Sequence, residues 1–136
     1  MDYEKIVIVG RVGKQPELRY TPSGKAVVSF PVAVNKRTGD RKVTKWFRVS
    51  VWDKQAENCN QYLQQGQEVL VEGELQADDG TGGPHVWTRQ DGSVGASFEL
   101  TASVVRFGAR ADGEKSGSDQ HGGDGHAGYT EDDVPF

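Results

Sequence analysis

The sequence predicts an all-β fold, a five-stranded Greek-key barrel with one helix between strands three and four, followed by a disordered C-terminal tail. Five short apolar segments rich in Val, Ile, Phe and Trp are separated by turn-forming clusters of Gly, Pro, Asp and Ser. Only one segment has helical spacing, and it falls after the third strand. Beyond Phe107 the composition changes to Gly, Ser, Asp and His, too poor in apolar side chains to offset the entropy of ordering.

Each element has its own local reason. "KIVIVGRV" is the first strand; after "TPSGK", "AVVSFPVAVN" is the second, and after "KRTGD", "TKWFRVSVW" is the third. In "DKQAENCNQYLQQG" Ala56, Cys59, Tyr62 and Leu63 recur at near-helical spacing, Asp53 offers an N-cap oxygen and Gly66 a stop. "QEVLVEGELQ" and "ASFELTASVVRF" are strands four and five, with "DDGTGG" between them. The Asp91-Gly92 pair predicts a tight turn in a hairpin from Val86 to Leu100 that projects from the barrel. Five antiparallel strands with a helix in this place match the OB-fold, where the helix plugs one end of the barrel.

A length of 136 residues accommodates one domain and a tail. The expected division is a barrel over 1–107, a flexible Gly-rich acidic linker over 108–130, and an acidic-apolar tip over 131–136. The formal charge of −4 misdescribes the barrel: residues 1–107 carry 14 Lys/Arg against 13 Asp/Glu, net +1, while the rest carry 2 against 7, net −5. Cys59 has no cysteine partner, which excludes an intrachain disulfide framework and indicates a reducing compartment. No run approaches the ~18 apolar residues of a membrane span, and "MDYEKIVIVG" lacks a signal h-region, so a soluble cytoplasmic protein is expected.

The third strand is the most informative stretch. Alternation puts Phe47, Val49 and Val51 on one face, an ordinary core stripe, and Trp46, Arg48, Ser50 and Trp52 on the other. Two indoles flanking a guanidinium on an outer surface suit stacking of nucleobases and pairing with phosphate, although the same rings could bury against a hairpin or a subunit partner. From Asn35 to Lys54 the chain carries Lys36, Arg37, Arg41, Lys42, Lys45, Arg48 and Lys54 against Asp40 and Asp53, net +5. A basic loop beside an aromatic face makes an electrostatic funnel for single strands, and Trp87 with Arg89 adds either a third stacking site or a packing residue. Duplex readout is disfavoured because the single helix is rich in Gln and Asn and has no basic face.

Other chemistry finds little support. His121, Asp124 and His126 in "HGGDGH" lie in a Gly-rich run poorly suited to fixing a metal, and neither a phosphate-binding P-loop nor a paired His-Glu zinc motif occurs. Asp78 and Asp79 have no basic or nucleophilic neighbour in sequence, and Cys59 is a packing residue on the helix. No catalytic residue, metal or cofactor is expected. An RNA-binding module of the cold-shock kind and a small OB-fold nuclease are the competing classes; the first would have no reason for an acidic-apolar tip, and the second lacks a metal or general-base cluster.

"KIVIVGRVGKQPELRYTPSGKAVVSFPVAVN", then "KWFRVSVWDKQAENCNQYLQQGQEVLVEGELQ", and finally "EDDVPF" resemble the bacterial single-stranded DNA-binding proteins over about residues 4–107 and the last six. The resemblance implies a homotetramer of OB-folds that coats single-stranded DNA during replication, recombination and repair. It assigns base stacking to Trp46, Trp52 and Trp87 and backbone contacts to Lys5, Arg19 and Arg48. The segment Lys36 to Lys45 replaces a longer family loop that often carries another tryptophan, absent here, and the long "DDGTGGPH" before Trp87 departs from the pattern. It also implies that Glu131, Asp132, Asp133, Val134, Pro135 and Phe136 recruit genome-maintenance enzymes. Phe136 would fill an apolar pocket, its carboxylate would meet a partner's cation, and the aspartates would add attraction along a basic rim.

Overall fold

Alternating β-branched and aromatic residues build most of the described residues into strands: β1 (Ile6–Val12), β2 (Glu17–Tyr20), β3 (Ala26–Thr38), β4 (Arg41–Trp52), β5 (Glu68–Leu75), β6 (His85–Thr88) and β7 (Val94–Phe107). The one helix among the described residues, α1 (Asp53–Tyr62), lies between β4 and β5. The computed structural model describes residues 1–111 and Val134. Residues 112–130 of the linker and the rest of the 131–136 tip lie outside the described residues, as do His121, Asp124 and His126.

The sheet runs β1-β5-β7-β4-β3-β2, and β1 also pairs with β3. That last pairing closes β1, β3, β4, β7 and β5 into a barrel, the five-stranded OB-fold architecture expected. Not every pair is antiparallel, however: β4 and β7 run parallel, with Phe47 opposite Phe98 and Ser50 opposite Thr101. The reason is the intervening connection of α1, β5 and β6, long enough to bring the chain back to β4 in the same direction. The short strand β2, unforeseen from the sequence, adds Glu17–Tyr20 to the free edge of β3.

Inward positions of every barrel strand meet in one core. Val12, Val28, Phe30, Val32, Val49, Val51, Val69, Val71 and Leu100 are fully buried. The helix joins this core through Ala56 and Cys59, and Leu63 just beyond it does the same. Tyr62, one residue to the side of that stripe, is exposed.

Both expected helix signals act differently. Asp53 is the first helical residue and has φ of 59°, a left-handed conformation that Asp tolerates better than most side chains. The N-cap position falls on Trp52, which makes no side-chain capping bond. The helix ends at Tyr62 because Leu63 turns to an extended conformation and inserts into the core. Gly66, with φ of 87°, instead turns the chain toward β5, and its N–H donates to the Val12 carbonyl.

Candidate nucleic-acid interface

The register around β4 converts its alternation into a surface. Phe47, Val49 and Val51 are buried, while Trp46, Arg48 and Ser50 are half-buried and Trp52 is exposed. On the β3 side Trp52 stands opposite Val27, Ser50 opposite Ser29, Arg48 opposite Pro31 and Trp46 opposite Ala33. Arg19 on β2 is the register partner of Val27, which puts it in the Trp52 row. On the other flank Glu99 stands beside Arg48 and Thr101 beside Ser50. Six residues of strand separate the two indoles by about 20 Å.

A cleft of about 430 Å³ crosses this face, lined by Arg19, Tyr20, Arg48, Trp52, Gln76 and Glu99 among others. The structure therefore brings together Arg19, Arg48 and Trp52, which the sequence had singled out, with three residues it had not. The hydroxyl of Ser29, in the same lining, is buried without a hydrogen-bond partner. The pairing of β7 with β4 puts Glu99 on the face of Arg48, and the Gln76 N–H, donating to the Glu99 carbonyl, sets Gln76 beside it, whereas Tyr20 lines the cleft although its register partner, Ala26, belongs to the core.

Trp46 sits at the far end of the strip. Its six-membered ring packs on Gly13, where an added Cβ would come within 2.6 Å of Cζ3. Val134 is buried at the same spot, its Cγ2 3.1 Å from that Cβ position. On the other side of Trp46 an apolar cleft of about 570 Å³ is lined by Val43, Lys45, Pro84, Ala96 and Phe98. Phe98 is exposed and contacts Phe47, with ring centres 5.7 Å apart.

Lys36 to Lys45 is not a loop, as the charge run had suggested, but the outer part of a β3–β4 hairpin whose register continues to Thr38 opposite Arg41. Asn35 and Thr44 pair across it, Thr44 Oγ1 donating to Asn35 Oδ1 at 2.6 Å. Pairing persists because Val34, Val43 and Thr44 continue the strand pattern up to the Gly39-Asp40 turn. Alternation sorts the cations: Arg37 and Lys42 share the face of Trp46, whereas Lys36, Arg41 and Lys45 lie on the other face of the arm.

The expected hairpin forms between β6 and β7, beginning at His85 and turning at Arg89–Ser93. Asp91 accepts bonds from both the hydroxyl and the N–H of Ser93, which hold its carboxyl below the usual range. Trp87 is half-buried opposite Gly95, and an added Cβ there would lie 2.6 Å from the indole. His85 stacks against the same indole with centres 5.7 Å apart, and the Arg89 guanidinium lies 5.8 Å from the ring centre. Trp87 thus has packing partners within its own hairpin, while the base of that hairpin, at Pro84 and Ala96, borders the Trp46 cleft.

Lys5 lies apart from this assembly. It precedes β1, pairs with Glu72 of β5 at 3.4 Å, and lines neither cleft. Among the described residues no group of three or more His, Cys, Asp or Glu side chains is placed to hold a metal. No helix among them is long and apolar enough to cross a membrane. Burial pushes the Cys59 thiol up to about 11.

Residues 3–108 match the model of the single-strand binding protein family. The chain is 32% identical to a single-stranded DNA-binding protein of Bacillus cereus, an alignment covering 97% of this chain and 89% of the relative. It is 34% identical to a protein of the same description from Oceanobacillus iheyensis, covering 88% and 71%. A third, from Neisseria meningitidis serogroup A, is 33% identical over 79% of this chain and 60% of its own length.

Proposed function

The chain belongs to the single-strand binding protein family, and from that membership we propose that it binds and protects single-stranded DNA without strict sequence preference. The observation that carries this reading is the outward row Trp46-Arg48-Ser50-Trp52, flanked by the basic β3–β4 arm. Bases are available to aromatic rings only when unstacked, and each ring–base stack is worth roughly 1–3 kcal/mol. Cations along the arm supply the sequence-independent part by releasing counterions from the phosphates.

The division of labour follows the chain. Residues 1–107 form the DNA-binding domain, with Trp46, Trp52 and Trp87 stacking bases and Lys5, Arg19, Lys36, Arg37, Arg41, Lys42, Lys45 and Arg48 meeting the backbone. Residues 108–130 serve as an acidic linker, and 131–136 as a tip that recruits replication, recombination and repair enzymes. Burial of Val134 beside Gly13 supports a tail that also competes with DNA for the barrel surface. The exposed apolar side chains of Val7 and Val9, next to the half-buried Leu70, support assembly into a homotetramer, which would multiply the number of tails. In this reading the protein is a cytoplasmic, non-enzymatic coat with no cofactor.

The test is a tryptophan-fluorescence titration with an oligo-dT of several tens of nucleotides at low and high salt. Strong saturable quenching, with affinity only partly weakened by salt, is expected. Negligible quenching would mean that the indoles serve packing alone. A matched RNA oligonucleotide separates a DNA coat from an RNA-binding module, and incubation of labelled DNA with magnesium would expose a nuclease.

A further inference from the structure

Along the DNA-binding face proposed above, one group is out of character: Glu99 presents a carboxylate where a phosphate backbone is to be held. It is the acidic side chain of the cleft that also contains Arg19, Arg48, Gln76, Tyr20 and Trp52. Arg48 and Glu99 are register partners on adjacent strands. Despite that proximity they form no ion pair, and among the described residues neither side chain is engaged in a hydrogen bond. Glu99 is half-buried, so its carboxylate meets the cleft rather than open water. A carboxylate that merely repelled DNA here would weaken the site without purpose, whereas one that accepts hydrogen bonds from a base would sharpen it.

The chemistry of the bases selects among them. An ionised carboxylate only accepts hydrogen bonds, through two oxygens in a fork. Guanine alone offers two adjacent donors to such a fork, N1–H and the N2 amino group. Thymine offers one N–H between two carbonyl oxygens, which the carboxylate repels. Cytosine and adenine each pair an amino donor with an acceptor ring nitrogen, so the second oxygen meets a lone pair. A guanidinium complements O6 and N7 of guanine in bidentate fashion. Arg48 stands beside Glu99 and can meet that second edge, while the Trp52 indole provides a stacking surface and Arg19 a cation at the same cleft.

We propose that this cleft is a guanine-selective base seat within an otherwise sequence-tolerant strand path, with Glu99 as its specificity-determining residue and Arg48 as its second contact. The inference rests on the single-strand-binding reading and deepens it. It predicts that guanine is favoured at one position of each bound segment, while neighbouring positions on Trp46 and the arm remain indifferent to base identity.

The full chain is titrated with three oligonucleotides of equal length: oligo-dT, the same strand with isolated guanines at regular intervals, and that strand with inosine for guanine. Isolated guanines avoid four-stranded structures, and inosine lacks only the N2 amino group. The expected result is at least roughly fivefold tighter binding of the guanine strand than of oligo-dT, with most of that gain lost for inosine. Glu99→Ala should bring the guanine and thymine strands together while oligo-dT affinity stays the same or rises. Glu99→Gln, which keeps the shape but only one acceptor oxygen, should fall between. A wild-type ratio near one, or a guanine preference that survives Glu99→Ala, overturns the proposal. So does an equal rise in affinity for all three strands in that variant, which marks Glu99 as simple repulsion. Failure of the wild-type chain to bind even oligo-dT refutes the single-strand-binding reading itself, a separate outcome. Retention of the wild-type urea midpoint shows that the variants are folded.

Discussion

Replacing Trp52 by alanine isolates the stacking contribution from the electrostatic one. The indole is 37% exposed and stands beside Val27, which points to the same outer face and yet is buried. One face of the ring therefore covers the barrel and the other is open, so one base per ring is the reasonable count. At roughly 1–3 kcal/mol for that base, Trp52→Ala should weaken binding to a short oligo-dT by about 5- to 150-fold. Trp46 lies about 20 Å along the strand, beyond the ~10 Å within which substitutions usually couple. The loss in Trp46→Ala/Trp52→Ala should therefore be the product of the two single losses. Fluorescence anisotropy of labelled DNA at several salt concentrations measures this, and the slope of log affinity against log salt should not change, because an indole neutralises no phosphate. Uncovering Val27 should lower stability by less than about 1 kcal/mol. Unchanged affinity in the folded variant, or a loss that appears as a shallower salt slope, would refute stacking at Trp52.

Three further outcomes are expected. Removing both Arg37 and Lys42, the cations on the Trp46 face of the arm, should reduce the salt slope by about 1.4 if each neutralises one phosphate of a single strand; an unchanged slope would place the backbone elsewhere. Phe30→Ala, at a fully buried core position, should cost about 3–5 kcal/mol in urea unfolding. The Cys59 thiol, raised from 9.0 to about 11 by burial, keeps its proton in the folded chain across the window where the unfolded chain loses it. Stability should therefore fall as pH rises from about 9 towards 11, and a Cys59→Ala variant should lack that component in urea titrations across this range.

Local pattern determined much of what the strands do. In "KWFRVSVW" a period of two separates a core stripe from an aromatic-basic face because successive strand side chains point to opposite sides, whatever the strand pairs with. The hairpin at Asp91-Gly92 and the helical segment were legible for the same reason, since each depends on a few neighbouring residues. Helix boundaries were less so: Asp53 and Gly66 are plausible signals, but the pull of Leu63 into the core ended the helix early. The basic segment looked like a loop because its charges obscured the strand pattern that pairing with Asn35 and Thr44 sustains.

By itself the sequence determined the strand faces, the location of the one helix and the compositional break after Phe107, all consequences of short-range periodicity and solubility. Only the tertiary structure decided that β7 returns parallel to β4, which sets Glu99 beside Arg48 across fifty intervening residues. It likewise decided that Trp46 lies on Gly13 and that Trp87 covers Gly95. These placements depend on closing a barrel around a shared apolar core, and closure is a property of all five strands together, to which no single stretch of sequence has access.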